Sequence, residues 1–170
     1  MREYHRNESK SAFSFSVTEL LKYGTIVAIL VFMLLMMIYN SGSTKPFKEV
    51  ASAVEASIDK EGLVRQDAQA LKRYYGLNSA DYEGVLFYSS EFSISAEEIL
   101  LIEVKNEQQV QSVRDALEER IEKRRDAFDG YAPEQVQLLD EARIQVRGNY
   151  IFLAVAPQAE TYNTVFSESL

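Results

Sequence analysis

Apolar positions change their spacing several times along the chain. From Tyr23 to Tyr39, 17 residues pass without a charge, and only Gly24 and Thr25 interrupt the apolar run. After the polar segment NSGSTKP the spacing becomes helical: Phe47, Val50, Ala51, Val54 and Ile58 share one side of a helix that Pro46 opens. A second, short helix is expected from Asp67, as N-cap, to Tyr75, with Gly76 in the left-handed closing position and Leu77 returning to the core. Asn78 to Asp81 reads as a turn. YEGVLFYS (from Tyr82) and EILLIEVK (from Glu98) are rich in aromatic, aliphatic and β-branched residues and read as strands joined by a polar loop.

The spacing then returns to that of a helix. Asn106 is the expected cap of the longest one, with Val110, Val113, Leu117, Ile121 and Phe128 as its stripe and Arg114, Glu118, Glu119, Glu122 and Lys123 opposite. Gly130 ends it, and Pro133 starts a short helix through Leu139. Arg143 to Arg147 alternates as a strand, Gly148-Asn149 marks a two-residue turn, and Tyr150 to Ala156 forms the return strand. Pro157 stops it, and a terminal helix follows from about Gln158 to Ser167. The order ααββααββα over residues 47–170 predicts an α+β domain with a four-stranded, mostly antiparallel sheet covered by helices on one face.

The long apolar run predicts a different environment for the N-terminal part. Seventeen helical residues rise roughly 25 Å against a hydrocarbon core of about 30 Å. Lys22 can snorkel, and Tyr23 and Tyr39 stand where amphipathic rings favour the headgroups. The expected organisation is a cytoplasmic tail (1–22), a transmembrane anchor (23–39) that makes the lipid bilayer a partner, a linker (40–46) and an extracytoplasmic domain (47–170). Four Lys or Arg precede the span, which keeps the N-terminus inside a single-pass protein of the cell membrane and places the C-terminal domain outside. Ser41-Gly42-Ser43 offers small residues for cleavage, but the apolar run is longer than that of a signal peptide and Tyr39 and Asn40 crowd the site. Phe15-Ser16-Val17-Thr18-Glu19 resembles the start of mature type IV pilins. Ser14 stands where their processing needs glycine, and Asn40 to Pro46 breaks the continuous helix a pilin requires.

Charge and residue content narrow the chemistry. Four basic against three acidic residues leave the first 43 positions at +1, and fourteen against twenty-three leave the rest at −9. A body so acidic repels phosphate backbones, so no nucleic-acid partner is expected. No cysteine is present, which removes disulfides and a lipid-modified cysteine. The sole histidine, His5, lies on the inner tail, away from any site on the domain. No calcium loop, phosphate-binding glycine loop or nucleophile elbow occurs. We therefore expect no catalytic, cofactor or metal residues, and no cofactor. Glu97 with Glu98, and the acidic face from Glu118 to Asp129, are the carboxylates a glycan-acting enzyme would have to use. Glu119 and Lys123 suit an ordinary i,i+4 surface pair.

KRYYG and VRGNY each set cations and tyrosines beside a glycine turn. They nominate Arg73, Tyr74, Tyr75, Arg147, Asn149 and Tyr150 as a candidate interaction surface.

The segments LKRYYGLNSADYEGVLFY, AEEILLIEV, GYAPEQVQLL and VRGNYIFLAVA resemble the bacterial domain-of-unknown-function family numbered 4358, over about residues 47–170. That resemblance implies a small anchored envelope protein of Gram-positive anaerobes and carries no activity or site residue. Many relatives use a lipoprotein cysteine, which the helical anchor replaces here. The reading at this point is a single-pass membrane-anchored envelope protein, a non-catalytic interaction or scaffold module whose partner is another envelope protein or wall glycan. The alternatives are a pilin-like subunit and a carboxylate-dependent glycan-acting enzyme.

Overall fold

Helix α1 runs from Val17 to Asn40 in a computed structural model that describes residues 17–40 and 45–170, with the side chains of 21–36 described in that helix. Between Leu21 and Met36, twelve large apolar side chains are at least half exposed. The Thr25 hydroxyl donates to Leu21 O at 2.5 Å, so this polar group is satisfied within the helix. Among the described residues no helix is long and apolar enough to cross a membrane. The expectations for Ser14, Phe15, His5 and Ser41 to Ser43 lie outside the described residues. Met1–Asn40 and Ser41–Leu170 form separate units.

The second unit is built on an antiparallel sheet of five strands in the order β1-β2-β3-β5-β4: Leu63–Arg65, Tyr82–Ser90, Glu98–Val104, Tyr150–Val155 and Arg143–Arg147. β3 and β5 are buried almost throughout because helices cover both faces. On one face α2 (Phe47–Ser57) and α6 (Ala159–Ser169) pack on Leu86, Tyr88, Ile99, Leu101, Phe152 and Ala154. On the other, α3 (Ala68–Tyr75), α4 (Gln108–Phe128) and α5 (Pro133–Asp140) cover Phe87, Leu100, Ile102, Ile151 and Leu153. Each Leu, Ile or Phe among them taken fully from water contributes about 1.5–3 kcal/mol.

Several expectations are met closely. Asp67 caps α3, accepting from Ala70 N at 2.8 Å, and Gly76 closes it at φ 71°. Arg143–Arg147 and its return strand pair across the Gly148-Asn149 turn.

Others need correction. The sheet has five strands, not four, because the three residues of β1 add to the free edge of β2, opposite Tyr88 to Ser90. So short a stretch has no alternation to show, and its strand character comes from the partner edge. Every strand pair is antiparallel. The sheet is covered on both faces, not one, as the uninterrupted apolar runs of its central strands require. Asn106 does not cap α4: Glu107 holds that position without a side-chain bond, and Gln109 Oε1 instead accepts from Lys105 N at 2.9 Å.

The register of β2 against β3 shifts between Tyr82 and Gly84, and the Phe47 ring of α2 lies against the bare Cα of Gly84. A methyl group there would overlap that ring. Gly84→Ala should cost about 1–3 kcal/mol by overpacking, although alanine is the better strand residue. Urea unfolding should show most of this cost disappearing in a Phe47→Ala background. Equal costs in both backgrounds would mean that the ring is not the obstacle.

Candidate functional site

Glu98 opens β3 in phase with Leu100, Ile102 and Val104, so the alternation of the strand turns its carboxylate toward α3 and α4. It is 4% exposed. On α4, Arg120 follows Val113 and Leu117 at helical spacing and meets it from above. Arg120 Nε donates to Glu98 Oε2 at 3.2 Å, and Arg120 Nη2 makes a close bond to Oε1. The Tyr75 hydroxyl, at the end of α3, donates to Oε2 at 2.6 Å. Both carboxylate oxygens are thus engaged in a two-pronged pair with a third donor.

The surroundings explain the electrostatics. Burial, then the Glu98 charge and the hydrogen bond to it, push the Tyr75 hydroxyl well above its ordinary range. Burial works to lower Arg120, but the bond and charge of Glu98 together outweigh it and raise the guanidinium. Tyr74 stands between two cations, with Arg73 4.9 Å and Arg120 4.6 Å from its ring centre.

Beside the clamp lies a cleft of about 190 Å³, lined by Tyr74, Ser89, Ser95, Glu97, Arg124 and Phe92 among others. Arg124, one turn beyond Arg120, donates to Ser95 O at 2.6 Å and stacks on Phe128 at 4.4 Å. Burial, then the neighbouring Arg120 charge, lower it. Glu97 is raised, chiefly by burial. Ala96 N donates to Gln135 Oε1 at 2.7 Å, tying the loop before β3 to α5. Two apolar side chains of that loop, Phe92 and Ile94, are largely exposed.

The two sequence-nominated patches are not brought together. Tyr75 meets Glu98 at one end of β3, whereas Tyr150 pairs with Glu103 near the other, roughly 17 Å away at strand rise. Tyr75 and Tyr150 are both buried, and the Tyr150 hydroxyl donates to Lys45 O at 2.8 Å. Arg73, Arg147 and Asn149 are exposed, and Tyr74 is half-buried. Arg120, Arg124 and Ser89 escaped sequence reasoning. A signal existed: Val113, Leu117, Arg120, Arg124 and Phe128 share one helical stripe, so two arginines point where a core residue belongs. Among the described residues no cluster of His, Cys, Asp and Glu could hold a metal ion.

Arg120→Met should destabilise the domain by about 3–5 kcal/mol, because it strands a buried carboxylate. Adding Glu98→Leu should recover most of that loss in urea unfolding, and a double variant no better than Arg120→Met would contradict the pairing. The raised Tyr75 also has a pH signature. Its contribution is fully present below the unfolded tyrosine pKa of about 10 and is lost as pH rises toward the higher folded value. Unfolding free energy should therefore fall less steeply above pH ~10 in Tyr75→Phe than in the parent.

No curated protein and no solved structure matches the chain. A family match covers residues 56–156, which hold the whole sheet together with Tyr75, Ser89, Glu98, Arg120 and Arg124. With the clamp and its scaffold inside that match, the chain belongs to the family described as Domain of unknown function (DUF4358).

Proposed function

We propose that the protein is a single-pass, membrane-anchored envelope protein that displays a non-catalytic α+β interaction or scaffold domain outside the cell. The observation that carries this reading is α1: twelve large apolar side chains exposed around a helix in which, among the side chains described after Lys22, the one polar group, Thr25, satisfies itself. An exposed apolar surface of this kind marks contact with lipid or protein. The sixteen residues with described side chains rise about 24 Å and fall short of a hydrocarbon core. The anchor reading therefore rests on the helix continuing to Asn40, with a charge-free sequence to that point.

The non-catalytic part of the proposal is supported by the state of Glu98. A carboxylate held by Arg120 and Tyr75 through both oxygens is poorly placed to exchange protons with a substrate. The interaction role draws on the rim, where exposed Phe92 lines the polar cleft and exposed Ile94 belongs to the same loop.

Intact-mass analysis and protease shaving of membranes from cells making the native chain test the proposal. A full-length mass with a domain digestible from outside is expected. A mass starting at Phe15 would point to a pilin-like subunit, one starting near Thr44 to a released domain, and a protected domain would reverse the orientation.

A further inference from the structure

Two buried polar atoms, on residues that line the cleft beside the clamp, are left unused by the fold. Ser89 is 3% exposed, and neither its Oγ nor the buried Nε of Arg124 has a hydrogen-bond partner among the described residues. Both residues line the same cleft. Ser89 sits directly across from Glu98 in the sheet, yet the carboxylate is already taken by Arg120 and Tyr75. An unmade bond at a buried polar group is costly, so a site with two of them is completed by a molecule that brings acceptors.

Charge selects the kind of molecule. Glu98 neutralises Arg120, whereas Arg124 donates to a backbone carbonyl and has no carboxylate partner among the described residues. Counting Glu97, the two arginines and two glutamates of the lining balance, and Arg124 is the lining cation with no carboxylate bonded to it among the described residues. Glu97 and Glu98 line the cleft as well and oppose a second negative charge on a ligand. Size selects further: about 190 Å³ is available, against about 30 Å³ for each water in the liquid. The Tyr74 ring and the Phe92 rim offer apolar contact for a small body.

We propose that this cleft binds a small monocarboxylate, one oxygen accepting from Arg124 Nε and the other from the Ser89 hydroxyl, with the apolar part against Tyr74 and Phe92. The planar guanidinium edge suits a carboxylate. The site is built from residues of Ser41–Leu170 alone and does not depend on the anchor reading.

The test follows the Arg124 Nε–H resonance of the full-length chain in detergent micelles, assigned by its loss in Arg124→Lys. Propionate, benzoate, inorganic phosphate and chloride are titrated at constant ionic strength. A saturable shift is expected with propionate and benzoate, with chloride giving none and phosphate binding more weakly. Ser89→Ala should weaken the carboxylates at least tenfold while leaving the urea midpoint unchanged or raising it, since the hydroxyl makes no bond in the free protein and its burial is a cost. The proposal fails if the carboxylates give no saturable shift, if chloride matches them, or if phosphate binds more tightly. Unaltered carboxylate binding by Ser89→Ala, or a clear loss of stability in that variant, would likewise overturn it.

Discussion

A carboxylate buried at the head of the central strand must be paired, and meeting that demand sets the positions of three elements. Glu98 lies between Ser89 of β2 and Val155 of β5, covered by α3 and α4. Unpaired, it would carry a desolvation cost of several kcal/mol. Arg120 and Tyr75 remove that cost only if α4 lies with its arginine over the strand and α3 ends above it. A slip of β3 by one residue would send the carboxylate to the opposite face, away from both partners. The clamp therefore opposes register error in the strand on which both layers of helices pack.

The other face of the sheet is closed near the same end by a related but wetter group. There the Tyr88 hydroxyl donates to Glu55 Oε1 at 2.5 Å, and Arg65 and Lys60 approach that carboxylate to 3.5 and 3.7 Å. Glu55 is held below its ordinary range, first by the Tyr88 bond, against an opposing effect of burial. The side chains of Arg65 and Lys60 are more than half exposed, so water screens these ion pairs and they contribute little. Arg120 and Glu98, with side chains 17% and 6% exposed, are the dry counterpart. Charge similar in kind thus serves mainly solubility on one face and registration on the other.

These two groups, with Arg124 on Ser95 O and Gln135 on Ala96 N, tie the chain on the β3 side of the β2–β3 loop. The cleft therefore has a fixed floor and one wall of tethered backbone. Phe92 exposes apolar surface at its edge, and Ile94 exposes more on the same loop, on a domain that is otherwise strongly acidic. Fixed polar groups beside an exposed apolar rim are features of recognition surfaces, where the polar part orients a ligand and the apolar part adds affinity.

Local chemistry determined much of this protein. The Asp67 cap, the left-handed Gly76, the Gly148-Asn149 turn and the stripe of α4 are short-range consequences of residue type, and each was legible in the sequence with its element. Runs such as EILLIEV and YIFLAV also carried, in their lack of alternation, the sign that both sides of the sheet are covered. Tertiary structure alone decided that Leu63–Arg65 becomes a strand, since three residues acquire that form only by bonding to an existing edge. It also decided the site. Glu98 and Arg120 are 22 residues apart, and Tyr75 lies 23 before Glu98. Periodicity can show that a charged side chain faces the core, but which partner it meets there depends on how helices from different parts of the chain are set across the sheet.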